Sequence, residues 1–159
     1  MRFILVDRIV ALDPGRTIQA EKTMSPHEEF FRDHFPGFPV VPGVLLTEMM
    51  AQASGKCLDT EPGERGKAML ARINSATFRE WVRPGQLVTL FASVRSSRPQ
   101  FATVDCRAEV AGRQVCAAEL FFSFMPRAHF APDYRDEVLE DYQKRAAARA
   151  GAGTEKSEA

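Results

Sequence analysis

Apolar and polar residues alternate most cleanly between Phe101 and Val110. Ala102, Val104, Cys106, Ala108 and Val110 fall on one side, Thr103, Asp105, Arg107 and Glu109 on the other. A period of two predicts a strand with one buried face. The pattern resumes with Cys116, Ala118, Leu120, Phe122 and Phe124, after a hairpin loop predicted at Ala111-Gly112-Arg113-Gln114. Two strands precede these, Ala68 to Phe78 and Leu87 to Val94, separated by Pro84-Gly85. Near the start, Arg8 to Leu12 and Thr17 to Thr23 flank Asp13-Pro14-Gly15, a strong turn signal, so residues 8–23 predict another hairpin.

One stretch breaks this rhythm. From Gly43 to about Leu58 the residues read as a helix, with Pro42 suited to its first turn, where a missing N–H costs nothing. Between Val44 and Ala53 the apolar residues fall on every side, which predicts a buried helix. Ser25 to Glu29 can open a short helical turn through Phe31, and 59–66 reads as a polar surface loop. One buried helix among hairpin-linked strands predicts an α+β domain, an antiparallel sheet with a helix on one face. It spans residues 1–125. Pro126 to Pro132 reads as a linker, Asp133 can cap a helix from Tyr134 to about Arg149, and 150–159 reads as a disordered tail.

Composition narrows the partners. At 159 residues, one domain with a real core is expected. Apolar residues make up 45% and charged residues 26%, as in soluble globular proteins. The formal net charge is zero, which argues against a nucleic-acid partner through bulk charge. No segment reaches the apolar length of a membrane span, and the apolar run at the N-terminus is too short for a signal peptide. Cys57, Cys106 and Cys116 are odd in number and read as reduced thiols, so a cytoplasmic protein is expected. His27 and His34 lack a convincing metal-ligand partner, and no glycine-rich nucleotide motif is present. Neither a metal nor a redox cofactor is expected.

The candidate chemistry lies around the helix. Glu48 has no basic residue three or four positions away, so its carboxylate must be paired, hydrogen-bonded or protonated. Gln52, one turn on, can orient it. Gly43 offers a free N–H at the helix start, and His34 precedes the kinked loop that leads in. An acid, a base and an oxyanion donor so close together predict a site.

His34-Phe35-Pro36-Gly37, then Pro42-Gly43-Val44-Leu45, Glu48 and Met50-Ala51-Gln52-Ala53, resemble the active-site segment of the FabZ-type 3-hydroxyacyl-[acyl-carrier-protein] dehydratases. The fourteen-residue step from His34 to Glu48 matches that family's catalytic pair. The related FabA type carries Asp at the second position, so Glu48 and Pro36 favour the FabZ side. Arg2 to Arg8, Glu29-Phe30-Phe31, Phe78 and Pro84-Gly85 extend the resemblance over roughly residues 2–125.

The resemblance implies a hotdog fold, a sheet wrapped around a central helix. It implies loss of water from a 3-hydroxyacyl thioester to give a trans-2-enoyl thioester, with His34 as base and Glu48 as acid. Gly43, Gln52, Phe35 and Pro42 are the oxyanion and substrate-binding candidates. Acyl carrier protein would be the partner, its phosphopantetheine arm arriving with the substrate. A homodimer, or three such dimers joined, is expected, with His and Glu of each site from different subunits. Met49, Lys56, Arg72 and Trp81 depart from the family pattern and leave acyl length and pathway open. A hotdog thioesterase and a non-catalytic acyl-binding protein are the alternatives. The first would not need the His34 loop, and the second would be expected to lose one of the pair. Arg79, Arg83, Arg95 and Arg98 are candidates for a basic docking patch.

Overall fold

The computed structural model describes residues 2–61, 63 and 65–154. Strands β1 (Arg8–Asp13) and β2 (Thr17–Thr23) form the first hairpin, and α1 spans Gly43–Asp59. Four strands follow: β3 (Lys67–Phe78), β4 (Leu87–Ser97), β5 (Phe101–Val110) and β6 (Arg113–Met125). Helix α2 (Glu137–Thr154) comes last. All strands join one antiparallel sheet in the order β1-β2-β4-β5-β6-β3. The sheet wraps around α1, as a hotdog fold requires.

Alternation explains the core. Ala102, Val104, Cys106 and Ala108 of β5 and Cys116, Ala118, Leu120 and Phe122 of β6 are buried on the face that meets α1. From the helix, Leu46, Met49, Met50, Ala53, Cys57 and Leu58 complete the layer. Between β5 and β6 the turn is tighter than expected. Ala111 and Gly112 both take positive φ, 50° and 75°, so two residues reverse the chain and Arg113 already belongs to β6.

Helix α1 is not buried all round. Val44 is 73% exposed, and Glu48 and Gln52, one and two turns on, are half-buried. This stripe opens because β3, at the sheet edge, leaves one side of the helix uncovered. From Met69 to Phe78 every residue of β3 is exposed, although Met69, Leu70, Ile73 and Phe78 are apolar.

The C-terminal region also differs from expectation. Helix α2 begins at Glu137, not Tyr134, because Asp136 rather than Asp133 caps it: the Leu139 N–H donates to Asp136 Oδ1 at 3.1 Å. It continues through Thr154, so residues 150–154 of the expected tail are helical, and 155–159 lie outside the described residues. Val138, Leu139 and Tyr142 pack against the core, and α2 lies along β1.

Candidate active site

The loop before α1 is pinned by its own backbone. The His34 N–H donates to Phe30 O at 2.9 Å, Val40 N–H to His34 O at 3.0 Å, and Val41 N–H to Val82 O at 2.8 Å. Phe35 and Phe38 exchange two further bonds around Gly37, whose φ of 75° favours glycine. The half-buried His34 ring stacks on Phe35 and places Nδ1 3.0 Å from Val40 O. A carbonyl can only accept, so Nδ1 carries the proton. In the neutral ring, Nε2 then keeps a free lone pair.

Glu48 is held from the other direction. Gln52 Nε2 donates to Glu48 Oε1 at 3.0 Å and to Phe3 O at 3.3 Å. Gln52 Oε1 accepts the Leu5 N–H at 2.8 Å. The amide therefore ties the acid to the N-terminal segment, and its orientation follows from those backbone partners. Among the described residues no hydrogen bond joins His34 to Glu48 of the same chain.

Helix α1 starts without a side-chain cap, and with the Leu45 and Leu46 N–H groups on Pro42 O, those of Gly43 and Val44 are the ones placed to meet an anion. Gly43 has a packing reason as well. A Cβ there would lie 2.9 Å from Phe78 Cε1, so a side chain would have to displace the Phe78 ring that packs on the helix start. Pro42 fixes the turn into α1, and its carbonyl accepts Leu45 N–H at 2.9 Å. Phe35, Phe38, Val44, Phe78 and Trp81 are all exposed in this part of the molecule.

Two of the four candidate docking arginines, Arg83 and Arg95, stand in different surroundings. Arg83 lies 3.8 Å over the Phe38 ring and donates to Pro39 O, so it belongs to this site. Arg95 is on the outer sheet face, bound to Asp105 and Glu119. No cluster of three or more metal-ligating side chains occurs among the described residues, and no described helix is long and apolar enough to cross a membrane.

Two contacts could not be read from the sequence. The Val40 carbonyl that sets the His34 tautomer carries no sequence signal. Lys56 did carry one, as a cation on a core helix, but its partner Asp136 lies 80 residues away at Oδ distances of 2.7 and 2.6 Å.

Known proteins bear on this arrangement. Residues 1–119 match the model of the FabA-like domain. The chain is a member of the FabA-like family. Among its FabA-like relatives is the 3-hydroxyacyl-[acyl-carrier-protein] dehydratase FabZ of Lactobacillus helveticus, 41% identical over 120 residues, covering 75% of this chain and 81% of the relative. The FabZ of Chloroflexus aggregans is 41% identical over 122 residues, covering 76% and 85%. In fold, this FabA-like chain is similar to the dehydratase heterocomplex ApeI:P of Xenorhabdus doucetiae. The TM-score is 0.62 at 15% identity, over 79% of this chain and 86% of that one. α2 and the segment leading to it lie beyond the matched family domain.

Proposed function

We propose that this protein is a FabZ-type 3-hydroxyacyl-[acyl-carrier-protein] dehydratase working as a homodimer, with His34 of one copy and Glu48 of the other in each site. The observation that carries the reading is the His34 ring, whose Nδ1–H on Val40 O leaves Nε2 as a base. Near-40% identity to FabZ dehydratases supports it. The dimer rests on β3, an apolar sheet edge open to solvent beside the site. Such an edge is suited to pairing with its own copy, which would also cover it.

The chemistry follows from these groups. The acyl thioester arrives on acyl carrier protein, and its phosphopantetheine arm belongs to the substrate. Nε2 of His34 takes the C2 proton, and a neutral imidazole has the right basicity near pH 7. As that C–H bond breaks, charge grows on the thioester oxygen, where the Gly43 N–H and the positive end of α1 stabilise it. The electron pair then forms the C2–C3 double bond and the C3–O bond breaks. Hydroxide is a poor leaving group, so Glu48 gives it a proton and water departs. The proton on His34 returns to Glu48 through solvent before the next turnover. Phe35 and Pro42 shape the entry from the loop, and Gln52 keeps the carboxyl group aimed.

The direct test follows 3-hydroxybutyryl and crotonyl thioesters for both enoyl absorbance and thiol release. The expected result is reversible interconversion of the two without thiol. Rapid thiol release with no enoyl product would instead support a thioesterase.

A further inference from the structure

A cavity of about 570 Å³ opens beside Glu48. Its helix wall is Glu48, Ala51, Gln52, Gly55 and Lys56. Those positions are spaced 3, 4, 7 and 8 from Glu48, so they form a single face of α1. Gly55 is buried, yet a Cβ built on it would meet nothing within 4 Å, so the groove runs over it. The facing wall is Ala68–Leu70 of β3 with Phe122 of β6. The far end is closed by the segment from Tyr134 to Val138, which lies outside the matched family domain.

The closure is fastened. Lys56 and Asp136, with side chains only 10% and 15% exposed, pair at 2.6 Å, and the same carboxylate caps α2. Tyr134 lies beneath the Lys67 ammonium, at 5.7 Å from its ring centroid. The other charges at this end have partners on or beside the cavity: Arg2 with Glu137, Lys67 with Asp59, and Arg135 with Glu140. Among the described residues, each charged side chain at this end has an ionic partner. A long alkyl chain pushed against it would have to break a buried ion pair, and a lone buried charge is costly.

We propose that the Tyr134–Val138 segment, latched through Asp136 to Lys56, is the end wall of the acyl pocket and holds this protein to short and medium acyl thioesters. The inference rests on the dehydratase reading, because Glu48 then marks where C3 of the substrate sits. From Glu48 to Lys56 the helix rises about 12 Å, and the Lys56 side chain leans back toward the helix start, so the free length is less.

The test compares kcat/KM for 3-hydroxybutyryl and 3-hydroxypalmitoyl thioesters in wild type, in Lys56→Ala/Asp136→Ala and in Gly55→Val. Wild type is expected to favour the short substrate by at least about ten-fold, since single methylenes already discriminate on this scale. The double substitution removes both charges together and opens the wall, and should reduce that preference several-fold. Gly55→Val fills the groove from a position with open space above it, and should penalise 3-hydroxyoctanoyl against 3-hydroxybutyryl thioester. Equal turnover of butyryl and palmitoyl substrates by wild type would overturn the wall. So would folded variants, checked by circular dichroism, whose length profiles match wild type. If no acyl length gives enoyl product, the dehydratase reading fails. The wall is then decided by calorimetry with butyryl- and palmitoyl-pantetheine, where wild type should bind only the first and equal binding would overturn it.

Discussion

Along β1, at one edge of the sheet, α2 covers the strand, and its Val138, Leu139 and Tyr142 pack on the core. Along β3, at the other edge, Met69, Leu70, Ile73 and Phe78 face solvent over ten exposed residues. Both edges carry apolar side chains and both would template pairing if left open. The chain closes one itself with a segment added after the last strand. The other stands beside Gly43 and the His34 loop, where Phe78 already touches the start of the helix. The difference separates two jobs. The segment that leads into the covering helix shapes a pocket within one copy, against the first residues of β3. The bare edge is suited to bring a second copy to the site.

The largest effect should come from spoiling the bare edge. Ile73 is 48% exposed, so Ile73→Arg costs the isolated chain little. It should halve the mass seen by sedimentation, and separating the two copies should cut turnover by ~10²–10⁴-fold, the scale of losing a general acid or base. A fully active Ile73→Arg monomer would mean that β3 is not the functional edge.

The covered edge should respond in stability instead. Tyr142 packs against the core from α2 and lines none of the site. Tyr142→Ala should cost about 1–3 kcal/mol, below the range for a fully buried aromatic because the ring is half-buried. Thermal denaturation should show a lower Tm, while turnover at 25 °C stays near wild type. Loss of the dimer in this variant would blur the division between the edges.

The smallest effect concerns the thiols inside the wrapped sheet. Burial pushes Cys57 and Cys116 up to about 11 and Cys106 up to about 12, from a usual value of 9.0. A raised thiol pKa means the unfolded chain loses these protons first. The associated stability is therefore fully present below about pH 9 and is lost as pH rises toward 11. Chemical denaturation at pH 8 and pH 10.5 should show the decline, and a thiol reagent at pH 8 should label the native protein far more slowly than the unfolded one.

The covered and bare edges were unequally legible in the sequence. The site segment could be read because its constraints are local: Pro42 and Gly43 open a helix, and Gln52 falls one turn after Glu48. The alternation of β5 and β6 likewise gave the buried face. β3 was readable as a strand, but alternation could not say whether its apolar residues meet the core or another copy. The C-terminal wall depended on a contact across 80 residues, Lys56 with Asp136, which no periodicity encodes. Asp133 and Asp136 are both plausible caps by type. The choice falls to the one whose carboxylate also reaches Lys56.

The shared site can be tested by mixing two inactive proteins. His34→Asn and Glu48→Gln should each fold, dimerise and lose turnover. If His34 and Glu48 of a site come from different copies, a mixed dimer contains one site with both residues intact. After subunit exchange, an equimolar mixture should regain about a quarter of wild-type activity, from random pairing in a two-fold dimer. A mixture that stays inactive although mass spectrometry shows mixed dimers would contradict the shared site and place both residues of the pair in one chain.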